Sequence, residues 1–221
     1  SEVADSVKAE LSDWRRWAAR AVVIGFAILA GLTVVALTAL SEWALEKFFE
    51  VTAHGLWWAL LWTPALTALI VWLTRRWAPG AAGSGIPQVL AALDAGTPES
   101  ERRRFVSLRL SVAKLLLTTG SLLAGLSTGR EGPSVQVAAG VMHHARRWLP
   151  KGTQISERGL MVAGGAAGIA AAFNTPLGGV LFAIEELSRR AEDRSSGLLI
   201  AAIVLAGLIA VSIYGDTAYF G

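Results

Sequence analysis

The stretches GSGIP at residues 83–87 and GREGP at residues 129–133, called here the first and the second corner, decide how this chain folds. Each places glycines directly ahead of a proline and an apolar segment. Glycine adopts backbone conformations closed to other residues, and proline suits the first turn of a helix, where its missing N–H needs no partner. Both corners therefore predict a helix start with free amide donors and the positive end of a helix dipole.

The helices that begin at these corners are predicted to be short. Residues 86–95 end at a Gly-Thr-Pro sequence, and residues 133–144 end at basic residues. As helices, both would span about half of a bilayer core. Short segments interrupted by glycine and proline are the best sequence indication of a binding site in a transporter.

Longer apolar runs flank the corners. Only 17% of the 221 residues are charged and the mean hydropathy is +0.50, whereas about a quarter of a soluble domain is charged. Pro176 divides one of these runs into two helices, because proline removes a helix hydrogen bond. The pattern predicts an all-α membrane protein, a polytopic helical bundle that includes short half-membrane helices. The uncharged runs are residues 21–41, 51–74, 115–129, 159–184 and 195–215.

Charges between the runs predict the orientation. One arrangement places every basic cluster in the cytoplasm, and it requires both short helices to start in mid-membrane. Residues 1–18 are predicted to form an amphipathic helix on the cytoplasmic membrane surface, with a plain solvated helix as the alternative, and residues 19–221 form the transmembrane domain. The formal charge is only +3, and the basic clusters mark topology, so nucleic-acid binding is not expected.

The first corner is a candidate anion site at Ser84, Gly85 and Ile86. Amide groups at a helix start in mid-membrane are costly when unpaired, and an anion satisfies them. The Ser84 hydroxyl can donate to the same anion. Alternatively, Ser84 is an ordinary N-cap of its own helix. Two corners of one kind, each opening a half-length helix, favour the anion site.

Glu131 in the second corner is the strongest single candidate. Ionisable groups at membrane depth are expensive and functional by default. A carboxylate is itself an anion, so it can occupy the helix-end site when ionised and leave it when protonated. Glu131 is therefore predicted to be a gate and a proton carrier. The alternative is a structural pair with Arg130, which is disfavoured because adjacent residues on a helix do not face each other.

Three further charged residues have two interpretations each. Glu185 and Glu186 end the helix that begins near Pro176, either as a proton entry point from the cytoplasm or as a solvated helix end paired with the basic residues that follow. Lys114 precedes the third apolar run. It either anchors that helix at the membrane interface or pairs with a nearby acid.

The two corners and the run AAFNTPLGGVLFAIEEL at residues 171–187 resemble, in order and spacing, three signature stretches in the first half of the CLC chloride channels and chloride/proton exchangers. The resemblance implies the first inverted repeat of a CLC-type fold. It implies that Ser84 coordinates the central chloride and that Glu131 is the gating glutamate. The amides around Arg130, Glu131 and Gly132 would line the outer chloride site, and Glu186 would be the internal proton-transfer glutamate.

The resemblance also implies a function, which is chloride transport by a chloride/proton antiporter with a glutamate gate. Family channels usually lack an acid at the position of Glu186, which favours an exchanger. A passive gated chloride channel and a non-transporting half-repeat fragment are the alternatives. Chloride is the transported ligand and no cofactor is expected. The implied partners are protons, the lipid bilayer, a second repeat or another copy that completes the ion path, and a second subunit in a homodimer. The implied location is a prokaryotic-type inner membrane with the N-terminus in the cytoplasm.

An enzyme is not expected. Residues 82–85, AGSG, approach the G-x-S-G of rhomboid intramembrane proteases, but alanine replaces the first glycine, and a serine nucleophile needs a base within hydrogen-bond reach. The sequence has no cysteine. His54, His143 and His144 lack the spacing of metal ligands, so neither a catalytic residue nor a metal site is assigned.

Overall fold

The computed structural model describes residues 2–153, 155–187 and 197–214, and these residues form α-helices joined by short loops and turns, without β-strands. Most breaks between helices fall at glycine and proline positions, such as Gly55 and Pro176. The helices are α1 (Glu2–Ala53), α2 (Leu56–Trp77), α3 (Ile86–Leu93), α4 (Glu99–Phe105), α5 (Leu108–Leu123), α6 (Glu131–His144), α7 (Glu157–Ala172), α8 (Pro176–Phe182) and α9 (Gly197–Tyr214).

Helix α1 is longer than the sequence analysis predicts. It continues for 52 residues without a boundary at residue 18 or at residue 41. The segment contains no proline and only two isolated glycines, so nothing in it terminates a helix. A surface helix that is separate from the first span is therefore not found, and the division of the chain at residue 18 stays a prediction.

Three helical segments of the described residues are long and apolar enough to cross a membrane, namely Trp14–Ala53, Trp57–Trp77 and Glu99–Leu123. Large apolar side chains cover much of their outer surface, as at Trp57, which is 80% exposed, and Leu61, which is 72% exposed. A soluble monomer rarely exposes so much contiguous apolar surface. The same surface is suited to lipid.

Helices α6 and α7 lie at the centre of the bundle, and they contact each other through small residues. A Cβ atom at Gly164 would lie 2.6 Å from the carbonyl oxygen of Ala138, and one at Gly168 would lie 2.5 Å from that of Ser134. The backbones are therefore in van der Waals contact, as is common between membrane helices with glycine at the interface. Helices α1, α5 and α9 surround this pair.

Ionic contacts join the end of α6 to the start of α7. The Glu157 carboxylate is largely buried and contacts His143 Nε2 at 2.6 Å, Arg102 Nη1 at 3.6 Å and the Arg146 guanidinium. These side chains share one end of the bundle. The opposite end of α6 carries the second corner.

The predicted interruption of the fourth apolar run is confirmed. Asn174 has a φ of 56°, and α8 begins at Pro176. The short helices are confirmed as well, since α3 has eight residues and α6 has fourteen. Helix α6 begins at Glu131, two residues ahead of the proline that the sequence analysis places at its start.

We predict that Gly168→Ala destabilises the bundle, because its methyl group would overlap the Ser134 carbonyl and separate α6 from α7. Overpacking of this kind costs about 1–3 kcal/mol. The matched control is Gly25→Ala, since Gly25 lies inside α1 with nothing within 4 Å of an added Cβ. Thermal unfolding in detergent should show a lower midpoint for Gly168→Ala alone. Equal midpoints for the two variants would contradict the proposed packing.

Candidate functional site

The first corner has a backbone that requires glycine. Gly83 has a φ of 80° and Gly85 a φ of 121°, in the region that side chains disfavour. Gly85 is the N-cap of α3, and its N–H donates to Gln88 Oε1 at 2.9 Å. The Gly85 amide is therefore engaged within α3. Of the two amides predicted for an anion at this corner, the one at Ile86 has no acceptor inside the helix.

The two corners contact each other directly. A Cβ atom at Gly132 would lie 2.5 Å from the Ser84 carbonyl oxygen and 2.9 Å from Ser84 Oγ, and one at Gly85 would overlap the Gly132 carbonyl. Only glycine at both positions allows this approach. The starts of α3 and α6, which are 45 residues apart in sequence (131 − 86), are thus brought together. The sequence predicts each corner but not their contact.

Ser84 is not the N-cap of α3. The cap position belongs to Gly85, and no side chain caps the helix from that residue. Within the described residues, no hydrogen bond is found for the Ser84 hydroxyl. The side chain is exposed and lines a cavity that also borders Glu131. Its hydroxyl is thus placed to donate into that cavity.

Lys114 differs from both of its predicted roles. It lies inside α5, which begins at Leu108, and only 3% of the residue is exposed. Its Nζ donates to the carbonyl oxygens of Ala81 at 2.8 Å and Gly83 at 2.5 Å. It therefore neither anchors the helix at the interface nor pairs with an acid among the described residues. Its ammonium group holds the loop that leads to the first corner.

The Glu131 carboxylate begins α6 and folds back toward Gly129, where an added Cβ would lie 2.6 Å from Glu131 Oε2. The described residues provide it with neither an ion pair nor a hydrogen bond. Arg130, its predicted alternative partner, instead lies 3.5 Å from Glu42 of α1, measured from Nη1 to Oε1. The structural pair between Glu131 and Arg130 is therefore not observed.

Two cavities meet at Glu131. The larger has a volume of about 720 Å³ and the smaller a volume of about 260 Å³. Thr128, Gly129 and Glu131 border both cavities. The polar lining of the larger cavity includes Ser84, Lys114, Thr118, Ser121 and Thr128. The smaller cavity adds Thr38, Arg130, Ala172 and Phe173.

The second predicted glutamate is described only in part. Its backbone belongs to a turn of π-helix, Ala183–Leu187, that continues α8. The Glu186 side chain lies outside the described residues, and so do the basic residues that follow it. The neighbouring Glu185 is exposed. The role of Glu186 stays a prediction.

His143 is too far from Ser84 to serve as its catalytic base. The catalytic base would have to lie within hydrogen-bond reach. Ser84 contacts α6 at Gly132, and eleven residues of helix (143 − 132), or about 16 Å, separate that glycine from His143. His143 also contacts Glu157 at the far end of the helix.

Sequence reasoning missed the residues that hold the first corner in place. They are Gln88, Gln136 and, in its actual role, Lys114. One signal was available, because Ser107 is the N-cap of α5 and accepts from the Leu110 amide at 3.3 Å. An N-cap at that serine would have placed Lys114 inside a helix rather than at its start.

The sequence profile of voltage-gated chloride channels matches residues 66–221. The chain belongs to the voltage-gated chloride channel family. It is 36% identical to the H(+)/Cl(-) exchange transporter ClcA of Cronobacter sakazakii over 167 residues. This alignment covers 72% of this chain and 34% of that protein. The chain is 34% identical to the H(+)/Cl(-) exchange transporter ClcA of Vibrio parahaemolyticus over 171 residues. This alignment covers 77% of this chain and 34% of that protein.

The fold is also similar to that of a solved member of this family. A slow cyanobacterial Cl-/H+ antiporter matches with a TM-score of 0.66 and 28% identity, over 91% of this chain and 47% of that one. The predicted all-α fold of the CLC type is therefore confirmed. Family membership and the apolar helices identify an integral membrane protein. The chain spans about a third of the length of the curated relatives it matches, at 34% of each.

We predict that Gly132→Ala weakens chloride binding in the complete protein by more than tenfold, because the methyl group would displace Ser84 and part the two corners. The matched control is Gly96→Ala, at an exposed turn where nothing lies within 4 Å of an added Cβ. Titration calorimetry on protein prepared without chloride gives the two dissociation constants. Unchanged chloride binding by Gly132→Ala would remove the corner contact from the site.

Proposed function

We propose that this chain supplies the gated anion site of a chloride/proton antiporter. The observation that carries the proposal is the position of Glu131, whose carboxylate has no ion pair within the described residues and stands between two cavities. One of these cavities also contains the Ser84 hydroxyl. The relatives named above are exchange transporters, and a solved relative is an antiporter, which supports the same function.

Chloride binds, in this proposal, where the two corners meet. Ser84 donates its hydroxyl, and the amide of Ile86 adds a donor at the start of α3. Gly85 contributes its backbone conformation, since its own amide bonds Gln88. The amides of Arg130, Glu131 and Gly132 form the second part of the site at the start of α6. Helix starts attract anions because their N–H groups lack intrahelical acceptors.

Glu131 is the proposed gate. Its ionised carboxylate takes the place of an anion at the amides of α6, and protonation removes the charge and releases the side chain. A proton is then carried on a carboxylate oxygen from one cavity toward the other. Glu186 is the proposed relay to the cytoplasm. The ammonium group of Lys114, which lines the same cavity as Ser84, favours negative charge there.

The remaining features of the proposal concern the complete protein. A second repeat or another copy completes the ion path, as expected for an inverted-repeat transporter. The assembly is a homodimer in the lipid bilayer of a prokaryotic inner membrane, with the N-terminus in the cytoplasm. It moves chloride and protons without a cofactor and without enzymatic chemistry. A passive chloride channel, in which Glu131 only gates, and a non-transporting half-repeat are the other two candidates.

We predict that Glu131→Gln uncouples the two fluxes in the complete transporter. A neutral amide cannot carry a proton, so proton movement driven by a chloride gradient should fall at least tenfold while chloride flux persists. The measurement uses proteoliposomes with a pH-sensitive dye and a chloride electrode. Glu46→Gln, which alters an exposed carboxylate on α1, should leave both fluxes intact.

The same experiment separates the three candidates. Chloride flux without uphill proton movement in the unmodified protein identifies a passive channel. The absence of any chloride flux identifies a non-transporting repeat. Coupled transport that survives Glu131→Gln would exclude Glu131 as the proton carrier.

A further inference from the structure

Four consecutive carbonyl oxygens, those of residues 80–83, each accept a hydrogen bond from a side chain. Lys114 of α5 donates to the second at 2.8 Å and to the fourth at 2.5 Å. Gln136 of α6 donates to the first at 2.9 Å, and Gln88 of α3 donates to the third. We call this set of donors the carbonyl clamp. The loop that it holds leads directly into Ser84.

The clamp is built from side chains that membrane helices rarely bury. Gln136 is 1% exposed and Lys114 is 3% exposed. Burying an amide or an ammonium group is costly unless it is hydrogen-bonded. Both groups donate hydrogen bonds to backbone carbonyls. Gln136 also donates to the Phe105 carbonyl at 2.9 Å. Three different helices thus hold one short loop.

The clamp has a direct electrostatic consequence for an anion. Carbonyl oxygens carry partial negative charge, and any that turned toward the cavity at Ser84 would repel an anion and attract a cation. A carbonyl that accepts from Lys114, Gln136 or Gln88 is held in a fixed direction. Ser84, one residue beyond the last clamped carbonyl, is fixed with it.

We propose that Lys114 and Gln136 are positioning residues for anion selectivity, because together they hold the carbonyls of residues 80–83 and thereby set the Ser84 hydroxyl. This inference rests on the proposed chloride site. In this inference, the carbonyl oxygens of the loop ahead of α3 are held by side-chain donors, while the N–H groups at the start of α3 remain available to an anion. Ala81, Ala82 and Gly83 line the cavity with Ser84, and each of their carbonyl oxygens is engaged by a side-chain donor.

A substitution of Gln136 distinguishes an effect on the position of the loop from a direct effect of the Lys114 charge. Lys114 lines the cavity with Ser84, so its ammonium group can also act on an anion directly. Gln136 is neutral and is not part of the cavity lining, so it acts on the anion through its packing and hydrogen bonds rather than through a charge. Its Oε1 atom has no hydrogen-bond partner among the described residues. Gln136→Met therefore removes the two donated hydrogen bonds and little else.

The test uses the complete transporter and two readouts. Chloride affinity is measured by titration calorimetry, and the preference for chloride over nitrate is measured by flux in proteoliposomes. We expect Gln136→Met to raise the chloride dissociation constant about tenfold, the effect of one or two lost hydrogen bonds, and to lower the chloride preference. Lys114→Met should do the same, and Lys114→Arg should restore much of the loss. Gln88→Met is a second test should Gln136→Met fold poorly; it removes the donor to the Ala82 carbonyl and also the acceptor of the Gly85 amide.

The matched control is Ser111→Ala. Ser111 Oγ donates to the Val137 carbonyl at 3.0 Å, which is a buried hydrogen bond between α5 and α6 that does not involve the loop. The Ser111→Ala variant should lower the stability of the protein without changing its chloride affinity or its preference for chloride over nitrate. Unchanged selectivity in both Gln136→Met and Gln88→Met, or equal losses in Ser111→Ala, would overturn the clamp while leaving the chloride site in place. Absence of chloride binding by the unmodified protein would instead refute the proposed function.

Discussion

The close approach of two backbones, at Gly85 and Gly132, is the constraint on which the rest of the structure depends. A methyl group at either position would meet a carbonyl group of the other corner. Because the corners touch, two helix starts from distant parts of the chain share one location, and N–H groups at these starts lack acceptors within their own helices. The contact therefore brings together donors from two helices, which is the arrangement that the proposed anion site uses.

The charged residues around this contact differ in their partners. The ammonium group of Lys114 is balanced by carbonyl oxygens rather than by a carboxylate, and Arg130 is drawn to Glu42 on α1. Glu131 has no ion pair within the described residues. Positive charge and amide donors thus lie near a carboxylate that has no salt bridge in the part of the chain that the structure describes. Such an arrangement is stabilised when an anion enters, or when Glu131 itself takes the place of one.

Local patterns predicted the parts of this structure that depend on local rules. The corners, the short helices and the interruption at Pro176 follow from glycine and proline stereochemistry. The anion-site residues inferred from the helix ends stay a prediction. The single long helix α1 differs from the prediction because charged residues alone, without a helix-breaking residue, do not end a helix. The role of Lys114 was missed because its partners, Ala81 and Gly83, are more than thirty residues away. Contacts at that separation leave no periodic signal in a sequence.

The position of Glu131 between two cavities allows the proposed coupling of proton binding and anion binding to be described by thermodynamic linkage. In the proposed mechanism, an anion and the ionised carboxylate compete for the same amide donors, so each proton that binds to Glu131 makes room for an anion. By linkage, a bound anion must favour protonation of Glu131 to the same extent. The coupling then requires no long-range conformational signal, because both ligands act on one side chain. It requires only that the donors keep their place while the carboxylate moves, which is what the clamped loop and the glycine contact of the two corners provide.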